Sequence, residues 1–520
     1  MPETGAKKWI ITITVILCSM IELIDTSIVN VALAQVMGNL GATLGEVSWI
    51  VASYAIANVI VVPMAGWLSN QFGRRNYYAG SVILFTIASF LCGNSTNIWE
   101  LVFFRFLQGM GGGALLATSQ SILVETFPKE QLGLANGIFG LGVVIGPTLG
   151  PTLGGYIVDH FSWQWIFYVN IPIGIVATFL CITFIEDSKH AIKKSAWSTA
   201  DWLGIGLLVL GVGSLQLVLE QGEREDWFES SYIIAFSLVS AIGIVGFIWR
   251  ELTVKNPIVN LRILKDRNLS IGTGLSFILG FGLFGTVFIL PVFLQRVLGF
   301  TATQTGEMFF PGAIATGFMM PIVGRLIQKG VPQKLMIPIG FLIFFIFTFW
   351  MTGLITPTSS DQDFFWPLIL RGFGMGLLFV PLTTLSLSNL KGQDIPQGAG
   401  LTNMLRQLGG SFGVAIISTY IERSSFGHRT DLLNNINNFD PETQSRLAQL
   451  TQAFVAKGSS LIEAKNQALH ALDLIVTKQS LILTYIDALL MLGAFFLLCL
   501  PLVLLIKKPK AIVNFSEAAH

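Results

Sequence analysis

A succession of long apolar runs constrains the fold of this chain more than any other feature. A helix needs about 20 apolar residues to cross the roughly 30 Å hydrocarbon core of a bilayer, where no water can satisfy unpaired backbone groups. We therefore expect an all-α integral membrane protein with about fourteen spans. The runs lie at about 9–35, 46–69, 77–96, 98–123, 133–158, 165–185, 202–220, 231–249, 269–296, 305–327, 335–355, 364–387, 398–421 and 480–506.

Composition supports this class and argues against others. Charged residues make up 12% of the chain, about half the share in soluble proteins, and the mean hydropathy is +0.69. The formal net charge is +1, which gives no electrostatic basis for binding nucleic acid. The four cysteines lie within apolar runs without CxxC spacing, so we expect neither a disulfide framework nor a metal site. No HExxH motif is present, which argues against an enzyme.

Basic residues are distributed unevenly among the connecting segments. The first run, 9–35, is too long for a signal peptide, so we expect it to be the first span. With a cytoplasmic N-terminus, the short outside loops hold only Arg224 and Arg296. By the positive-inside rule we expect a multi-pass protein with both termini in the cytoplasm. The inside segments then hold Lys7, Lys8, Arg74, Arg75, Lys129, Lys189, Lys193, Lys194, Arg250, Lys255, Arg262, Lys265, Arg267, Arg325, Lys329, Lys334, Lys391, Lys507, Lys508 and Lys510.

Short motifs recur about 260 residues apart in the same orientation. PMAGWL begins at Pro63 and PIVGRL at Pro321, while RFLQGMGGG begins at Arg105 and RGFGMG at Arg371. Three matches in register predict two parallel halves of six spans each. A third match pairs Asn136 with Asn403, Gly142 with Gly409 and Gly146 with Gly413.

The repeats set the expected domain boundaries. The N-terminal half covers 1–186, two inserted spans with their linkers cover 187–268, and the C-terminal half covers 269–520. The second half contains a long polar outside segment at about 423–478, in which two stretches have helical periodicity. We interpret this segment as a solvated cap over the bundle, and the alternative is a docking hairpin for a periplasmic partner.

Ionisable residues within spans are costly and are functional candidates by default. Glu22 and Asp25 are three residues apart and therefore share one face of the first helix. Arg105 lies in the fourth span at a matching depth. If the side chains face each other across a cavity, Arg105 holds Asp25 ionised, and losing that partner favours the protonated form. We predict proton coupling at Asp25, Glu22 and Arg105; the alternative is a structural ion pair that fixes helix packing.

Three further charged residues lie within predicted spans. Arg371 occupies the repeat position of Arg105 and is interpreted as a relic of the repeat. Arg406 is expected to contact backbone carbonyls between the halves, and Asp487 to pair with either arginine. For each residue a structural role is favoured over a coupling role.

The fifth run contains the sequence GVVIGPTLGPTLGG, whose small residues recur every four positions. In water such a helix would be penalised, because glycine costs about 1 and proline about 3 kcal/mol in a helix interior. In a membrane, small residues let a neighbouring helix approach closely. The structural interpretation is a close-packed span, and the functional interpretation is a bendable helix face where two halves of a transporter meet. The stretch comprises Gly142, Gly146, Pro147, Gly150, Pro151, Gly154 and Gly155.

Several motifs together resemble the fourteen-span drug/proton antiporter branch of the major facilitator superfamily, the EmrB/QacA type, and are most similar to EmrB-type inner-membrane pumps. The resemblance covers essentially the whole chain. It implies the superfamily fold, with two six-helix halves plus two inserted transmembrane helices, fourteen in total. The motifs are LIDTSIVNVAL (23–33), GWLSNQFGRR (66–75), RFLQG (105–109), GxxxGPxxGPxxGG (142–155), WQWIFYVNIPIG (163–174) and GEREDWF (222–228).

The resemblance also assigns roles to particular residues. It implies that Asp25 is the membrane-embedded coupling carboxylate and Arg105 the proton-pathway arginine, while Gly146 and Pro147 form the antiporter hinge. A cytoplasmic gating motif follows the second span, but Asn70 stands where the superfamily has Asp, which puts its charge latch in doubt. The residues of this motif are Gly66, Asn70, Gly73, Arg74 and Arg75.

The function implied by this resemblance is proton-driven antiport that exports amphiphilic drugs or toxic compounds across the inner membrane by alternating access. The proton gradient supplies the energy, and no cofactor is implied. The implied partners are the bilayer, a periplasmic membrane-fusion adaptor of the EmrA type and an outer-membrane channel of the TolC type. One alternative is a dedicated exporter of a single metabolite, such as a fatty acid, siderophore or bile-salt-like compound. A less favoured alternative is a non-transporting membrane scaffold.

Overall fold

The computed structural model describes residues 5–128, 131–187, 200–392, 394–437 and 439–506, and in these residues it contains helices and no strand. The expectation of an all-α protein is confirmed. The helices are α1 (Ala6–Leu40), α2 (Leu44–Phe72), α3 (Arg74–Gly93), α4 (Ile98–Thr126), α5 (Leu132–His160), α6 (Trp165–Tyr168), α7 (Asn170–Phe184), α8 (Trp202–Leu208), α9 (Ser214–Gln221), α10 (Ser231–Thr253), α11 (Arg267–Arg296), α12 (Ala302–Gln328), α13 (Gln333–Leu354), α14 (Asp361–Leu387), α15 (Asp394–Asn434), α16 (Pro441–Ala456) and α17 (Leu461–Cys499).

The helices match the predicted spans. Within the described residues, 12 helices are long and apolar enough to cross a membrane. The two other predicted spans, 133–158 and 398–421, coincide with α5 and α15. The count of fourteen crossings stays a prediction.

Contacts between distant segments define the two ends of the bundle. Lys7 pairs with Glu186 near the start of α1, and Lys334 donates to the carbonyl of Leu504 at 3.1 Å. The start of α5 links these pairs, since Lys8 donates to Gln131 at 3.0 Å and a Cβ atom on Gly133 would lie 2.6 Å from the carbonyl oxygen of Gly324 near the end of α12. The beginning of α1 and the end of the described chain therefore lie at one end, hereafter the terminal face. Several basic residues of the orientation argument lie outside the described residues, namely Lys129, Lys189, Lys193, Lys194, Lys507, Lys508 and Lys510.

Helix packing follows the same pattern in two groups of helices. In the first group α1 contacts α4, α5 and α7, while α4 also contacts α2 and α3; in the second, α11 contacts α14, α15 and α17, while α14 also contacts α12 and α13. Between the groups, α5 packs on α12 as α15 packs on α2. We propose that the groups are the halves 1–186 and 269–520, related by a pseudo-two-fold axis.

The interface between the groups, hereafter the seam, is formed by α2, α4 and α5 on one side and α12, α14 and α15 on the other. Two hydrogen bonds cross the seam at matching places in the repeat. Asn136 donates to Oγ1 of Thr384 at 3.2 Å, and Asn403 donates to Oε1 of Gln120 at 2.7 Å. The repeat predicted from the sequence is therefore visible in individual contacts.

The inserted helices α8, α9 and α10 lie on one side of the seam, where α9 contacts α2 and α15. A π-helical turn (Val209–Gly213) joins α8 to α9. At this turn the backbone approaches α10 closely, because a Cβ atom on Gly243 would lie 2.6 Å from the Cα atom of Gly211. The outer face of α10 carries exposed apolar side chains such as Ile242 and Val245, as expected for contact with lipid.

Residues 254–260, hereafter the strap, connect the inserted helices to the second half. Ile258 and Val259 are fully buried within an apolar cluster that includes residues of α2 and α15. The side chain of Gln397 accepts the Asn260 N–H at 3.0 Å and donates to the Ile258 carbonyl at 3.4 Å. The strap is therefore packed against the seam at the terminal face.

At the opposite end of the bundle, α15 and α17 are longer than a membrane crossing requires. The 41 residues of α15 span about 60 Å at 1.5 Å per residue, about twice the thickness of the hydrocarbon core. Helix α16 packs against α17, so the helical patterns predicted within 423–478 are confirmed. Asp440 caps α16 by accepting from Thr443, and these hydrogen bonds lower the pKa of the Asp440 carboxyl. The long loop is therefore a helical projection.

Candidate functional site

A buried carboxylate on α1 forms the centre of the site. Asp25 is fully buried, and both of its oxygens accept hydrogen bonds. Oδ2 accepts from Nη1 of Arg105 at 2.5 Å, while Oδ1 accepts from Gln108 and Asn170, each at 2.8 Å. These donors lie on α4 and α7, so one side chain of α1 holds three helices of the first half together.

Arg105 is as deeply buried as its partner. Nη1 also donates to Oε1 of Gln108 at 2.6 Å, and Nε donates to the Ile50 carbonyl at 3.3 Å. The guanidinium carbon lies 4.2 Å from the centre of the Tyr54 ring, a cation–π distance. Such a dense set of contacts is what a buried ion pair requires, since desolvation outweighs the charge attraction when hydrogen bonds are missing.

The geometry of this pair differs from the expected arrangement in one respect. Asp25 and Arg105 contact each other directly inside the first half, with side chains 0% and 1% exposed, rather than facing each other across an open cavity. The reason is the packing of α1 on α4, to which Ser89 of α3 adds a further acceptor for Gln108 at 2.7 Å. The proton-coupling role of this pair stays a prediction.

Glu22, one helical turn before Asp25, has a different environment. Its Oε1 accepts from Nδ2 of Asn58 at 3.0 Å. Its Oε2 is buried and has no hydrogen-bond partner among the described residues. The two acids of α1 therefore differ, because Asp25 is fully satisfied and Glu22 keeps one free oxygen.

The glycines of the α5 motif pack against α1 and not against the other half. A Cβ atom on Gly142 would lie 2.8 Å from Cγ2 of Ile16, and one on Gly146 would lie 2.7 Å from Cβ of Leu23. Gly150 and Gly154 face α1 in the same way. The interpretation of the motif as the meeting face of two halves is therefore wrong, and the close-packing interpretation fits. Helix α5 runs unbroken through Pro147 and Pro151, with Gly155 buried near its end.

A second set of glycines on α5 forms the seam instead. A Cβ atom on Gly133 would lie 2.6 Å from the carbonyl oxygen of Gly324 on α12, and one on Gly137 would lie 2.6 Å from that of Met320. Gly142 follows Gly133 by nine residues, which is two and a half helical turns. The two sets therefore occupy opposite faces of α5, one facing α1 and the other α12.

The gating motif lies at the terminal face. Gly66 approaches α15 so closely that a Cβ atom there would lie 3.1 Å from the backbone nitrogen of Gln397. Asn70 is partly buried near the end of α2. Gly73 has a φ of +85°, which only glycine adopts readily, and it links α2 to α3.

The two arginines of this motif bind within the first half. Nη1 of Arg74 donates to Glu125 at 2.6 Å, and its other nitrogens donate to the Glu186 carbonyl. The backbone N–H of Arg75 donates to Asp187 at 3.0 Å. These contacts tie α3 to the ends of α4 and α7.

The remaining charged candidates are separated from one another. Arg371 donates to Oγ1 of Thr286 at 3.1 Å, in the position that Asp25 occupies relative to Arg105 in the first half. Asp487 was expected to pair with one of the arginines, and this is wrong. It accepts from Tyr420 at 3.3 Å and lies 2.9 Å from Nε2 of His428, because its place on α17 faces the projecting part of α15.

Arg406 also differs from expectation. Its side chain donates to Oδ1 of Asn403 rather than to backbone carbonyls, and its guanidinium carbon lies 4.8 Å from the centre of the Phe379 ring. Asn403 in turn bridges the seam to α4. Arg406 therefore lies at the interface between the halves, as expected, but is held by side chains.

Sequence reasoning missed the amides that complete the site. Gln108 and Asn170 each lie inside an apolar run and are almost completely buried. A polar amide within a span is itself a signal, because an unsatisfied amide in hydrocarbon costs several kcal/mol. Within the described residues no cluster of three or more His, Cys, Asp or Glu is arranged to hold a metal.

The sequence profile of the Major Facilitator Superfamily matches residues 15–414. The chain belongs to the major facilitator superfamily. This superfamily consists of transporters, so the protein is a multi-pass membrane transporter and not an enzyme, and the predicted family and fold are confirmed.

Relatives that match over their full length show which type of superfamily member this protein is. The chain is 34% identical to the multidrug export protein EmrB of Escherichia coli K12, over 100% of this chain and 99% of the relative. It is also 34% identical to the fatty acid resistance protein FarB of Neisseria gonorrhoeae, over 98% of both chains. The protein is therefore an EmrB-type member of the superfamily.

Solved structures support the same fold at low sequence identity. The human organic anion transporter MFSD10 (TETRAN) is 11% identical, with a TM-score of 0.60 over 96% of this chain and 100% of that one. The proton:xylose symporter XylE is 16% identical, with a TM-score of 0.57 over 81% of this chain and 90% of that one. At such identities the likeness establishes the fold alone.

Proposed function

We propose that the protein is a proton-driven antiporter that exports amphiphilic drugs or toxic compounds across the inner membrane by alternating access. The observation that carries this proposal is the buried Asp25–Arg105 pair within the membrane-spanning part of the first half. Intramembrane ion pairs mark proton and substrate pathways in transporters. Two full-length relatives are named for multidrug export and fatty acid resistance, which supports export as the direction.

Proton binding acts on a site whose contacts depend on charge. As a carboxylate, Asp25 accepts three hydrogen bonds. Protonation removes the charge that compensates Arg105 and turns one acceptor oxygen into a donor. The arrangement of α1, α4 and α7 is then no longer optimal, so protonated and ionised protein favour different packings. A ligand or proton shifts a conformational equilibrium only through such a difference between states.

Alternating access requires the halves to move against each other. The seam is built for such movement, since Gly133 and Gly137 bring the backbones of α5 and α12 together without interlocking side chains. In the structure the seam is closed near the terminal face by Gly66 and Gln397 as well. We propose that this face opens when the opposite face closes, with α5 carrying the movement from α12 to α1.

The proposed orientation places both termini in the cytoplasm and the α15–α17 projection in the periplasm. Large apolar side chains are exposed on this projection, including Phe439 at 91% and Ile462 at 76%. Exposed apolar groups far outside the membrane indicate a protein contact. We therefore favour a docking function for the projection, with a membrane-fusion adaptor of the EmrA type as partner and a TolC-type channel completing a tripartite system.

A second candidate function is dedicated export of one anionic metabolite, such as a fatty acid. The specific observation in its favour is Arg406, a buried cation at the seam for which no ion pair is found among the described residues. A non-transporting scaffold is less well supported, because it would give no reason to maintain a desolvated ion pair inside the membrane.

The test uses purified protein in liposomes that contain a pH-sensitive dye, under an imposed proton gradient. A panel of lipophilic cations, uncouplers and fatty acids is added to wild type and to Asp25→Asn. We expect substrate-dependent proton movement in wild type and its loss in the variant, since an amide cannot carry the proton. Asp363→Asn, which changes an exposed N-terminal residue of α14, serves as the matched control.

Two outcomes would contradict the proposal. Transport by Asp25→Asn at the wild-type rate would remove Asp25 from coupling. Substrate transport that is insensitive to the proton gradient would exclude proton-driven antiport, although the protein would still be a transporter.

A further inference from the structure

Arg406 is a buried cation without a matching anion. Arg406 is only 4% exposed, and within the described part of the chain it forms no ion pair. Its contacts are a hydrogen bond to Asn403 and the face of the Phe379 ring. A buried charge is costly unless it is paired and hydrogen-bonded, so the site is incomplete as an ion pair.

Several polar side chains of the first half also have unsatisfied hydrogen-bonding atoms. Glu22 accepts from Asn58 and Arg406 donates to Asn403, and the two residues form no ion pair with each other. Oε2 of Glu22, Nε2 of Gln120 and Oδ1 of Asn136 are all buried without hydrogen-bond partners in the described residues. Gln120 and Asn136 each bond across the seam through their other atom. Unsatisfied polar atoms therefore lie at the seam, and the free Nε2 of Gln120 belongs to a side chain that Asn403 links to Arg406.

We propose that Arg406 binds the carboxylate head of an amphiphilic anion, whereas Glu22, which has one free buried oxygen, favours cationic heads. A guanidinium presents its N–H groups in a planar fork that matches a carboxylate. The inference rests on the proposed transport function and names a substrate class for it. Anionic and cationic amphiphiles would then bind to different residues.

The location of Arg406 explains why binding at this residue can affect transport. Asn403, which accepts its hydrogen bond, is itself a donor to Gln120 across the seam. An anion on Arg406 is therefore one side chain away from a contact that joins the two halves. By contrast, Arg371 in the same half bonds to Thr286 and lies away from the seam contacts.

The experiment measures equilibrium binding of two probes with the same tail and opposite heads, octanoate and octyltrimethylammonium. Radiolabelled probe is bound to purified full-length protein in nanodiscs, and binding to empty nanodiscs is subtracted. For Arg406→Gln we expect at least about a tenfold loss of octanoate affinity, the effect of removing one charge-assisted hydrogen-bonding partner. Affinity for octyltrimethylammonium should stay within about twofold of wild type, because that head does not bind a guanidinium.

Three further variants make the result specific. Arg406→Lys should keep part of the octanoate affinity, because charge remains while the fork is lost. Glu22→Gln should weaken octyltrimethylammonium and spare octanoate. Arg371→Gln removes an equally buried arginine of the same half and should change both affinities by the same factor.

The proposal is overturned if wild type does not bind octanoate, if Arg406→Gln leaves octanoate affinity unchanged, or if it weakens both probes equally while Arg406→Lys behaves like wild type. Binding is measured without a proton gradient. A failure of proton coupling in the liposome assay therefore leaves this result unaffected, and the two proposals fail separately.

Discussion

At the scale of single residues, the site contains two acids on the same helix. Both oxygens of Asp25 accept hydrogen bonds, whereas one oxygen of Glu22 has no hydrogen-bond partner among the described residues. Asp25 has three donors and Glu22 has one, although they are three residues apart. The difference arises from their neighbours, because Asp25 faces donors on α4 and α7 whereas Glu22 faces Asn58 of α2. Arg105 is the one cation that pairs with Asp25 among the described residues.

Removing Arg105 should therefore be more harmful than removing the whole pair. For Arg105→Gln we expect a loss of about 3–5 kcal/mol of stability, because the Asp25 carboxylate is left buried and uncompensated. The double variant Asp25→Asn/Arg105→Gln should recover most of this loss. Thermal unfolding of the purified proteins in detergent tests the order. Equal destabilisation by the single and double variants would show that the pair does not act as a unit.

At the scale of elements, α5 has two smooth faces with different neighbours. The face with Gly142 meets flexible side-chain atoms of α1, whereas the face with Gly137 meets the backbone of α12. Added atoms can therefore be absorbed by a side-chain shift on one face only. The same substitution on the two faces should have different consequences.

Gly137→Ala should weaken closure of the seam, because its Cβ would lie 2.6 Å from the carbonyl oxygen of Met320. The matched control is Gly142→Ala, for which Ile16 can move aside. In a Thr384→Cys background we expect a several-fold faster reaction with maleimide for Gly137→Ala and a nearly unchanged rate for the control. Equal rates in the two variants would argue against a role for this face in closure.

The strap is a second element, and one side chain hydrogen-bonds two of its backbone groups. Gln397 supplies an acceptor to the buried backbone of Asn260 and a donor to Ile258. Gln397→Ala should lower stability by about 1–3 kcal/mol, because it leaves buried backbone groups unpaired. Gln397→Glu keeps the acceptor and should lose less. The melting temperatures of the two variants give the measurement, and the reverse order would contradict this assignment.

At the scale of the whole molecule, two halves with matching contacts carry an insertion and a projection that the repeat does not require. The insertion covers α2 and α15, and the projection is built from α15, α16 and α17. Helix α15 belongs to both regions and also to the seam. A partner bound at the projection is thus connected to the seam by one continuous helix of 41 residues.

Replacing residues 435–459 by a Gly/Ser linker of equal length should leave transport intact and abolish binding of the partner protein. We expect normal proton-coupled flux in liposomes, since the site lies within the bundle. Drug resistance of intact cells should be lost, because the docking surface is removed. Comparison of flux with resistance in the same variant provides the test. Full resistance would instead support the projection as a solvated cap.

The sequence by itself determined the helices, the family and the acids of the site. Apolar runs and glycine spacing are local properties, and they predicted α5 and its close packing correctly. The repeat placed Asn136 and Asn403 in equivalent positions before their contacts were known. Asp25 and Arg105 were identified because charge within a span is rare for energetic reasons that hold in any fold.

Only the tertiary structure decided which groups meet. The glycines of 142–155 were assigned to the wrong neighbour, because a four-residue spacing identifies a helix face without saying which helix it contacts. Asp487 was given the wrong partner, since its pairing with His428 depends on an extension of α15 beyond the membrane. Gln108 and Asn170 became recognisable as donors to Asp25 only after folding, because residues far apart in the chain are brought together by packing that no local pattern encodes.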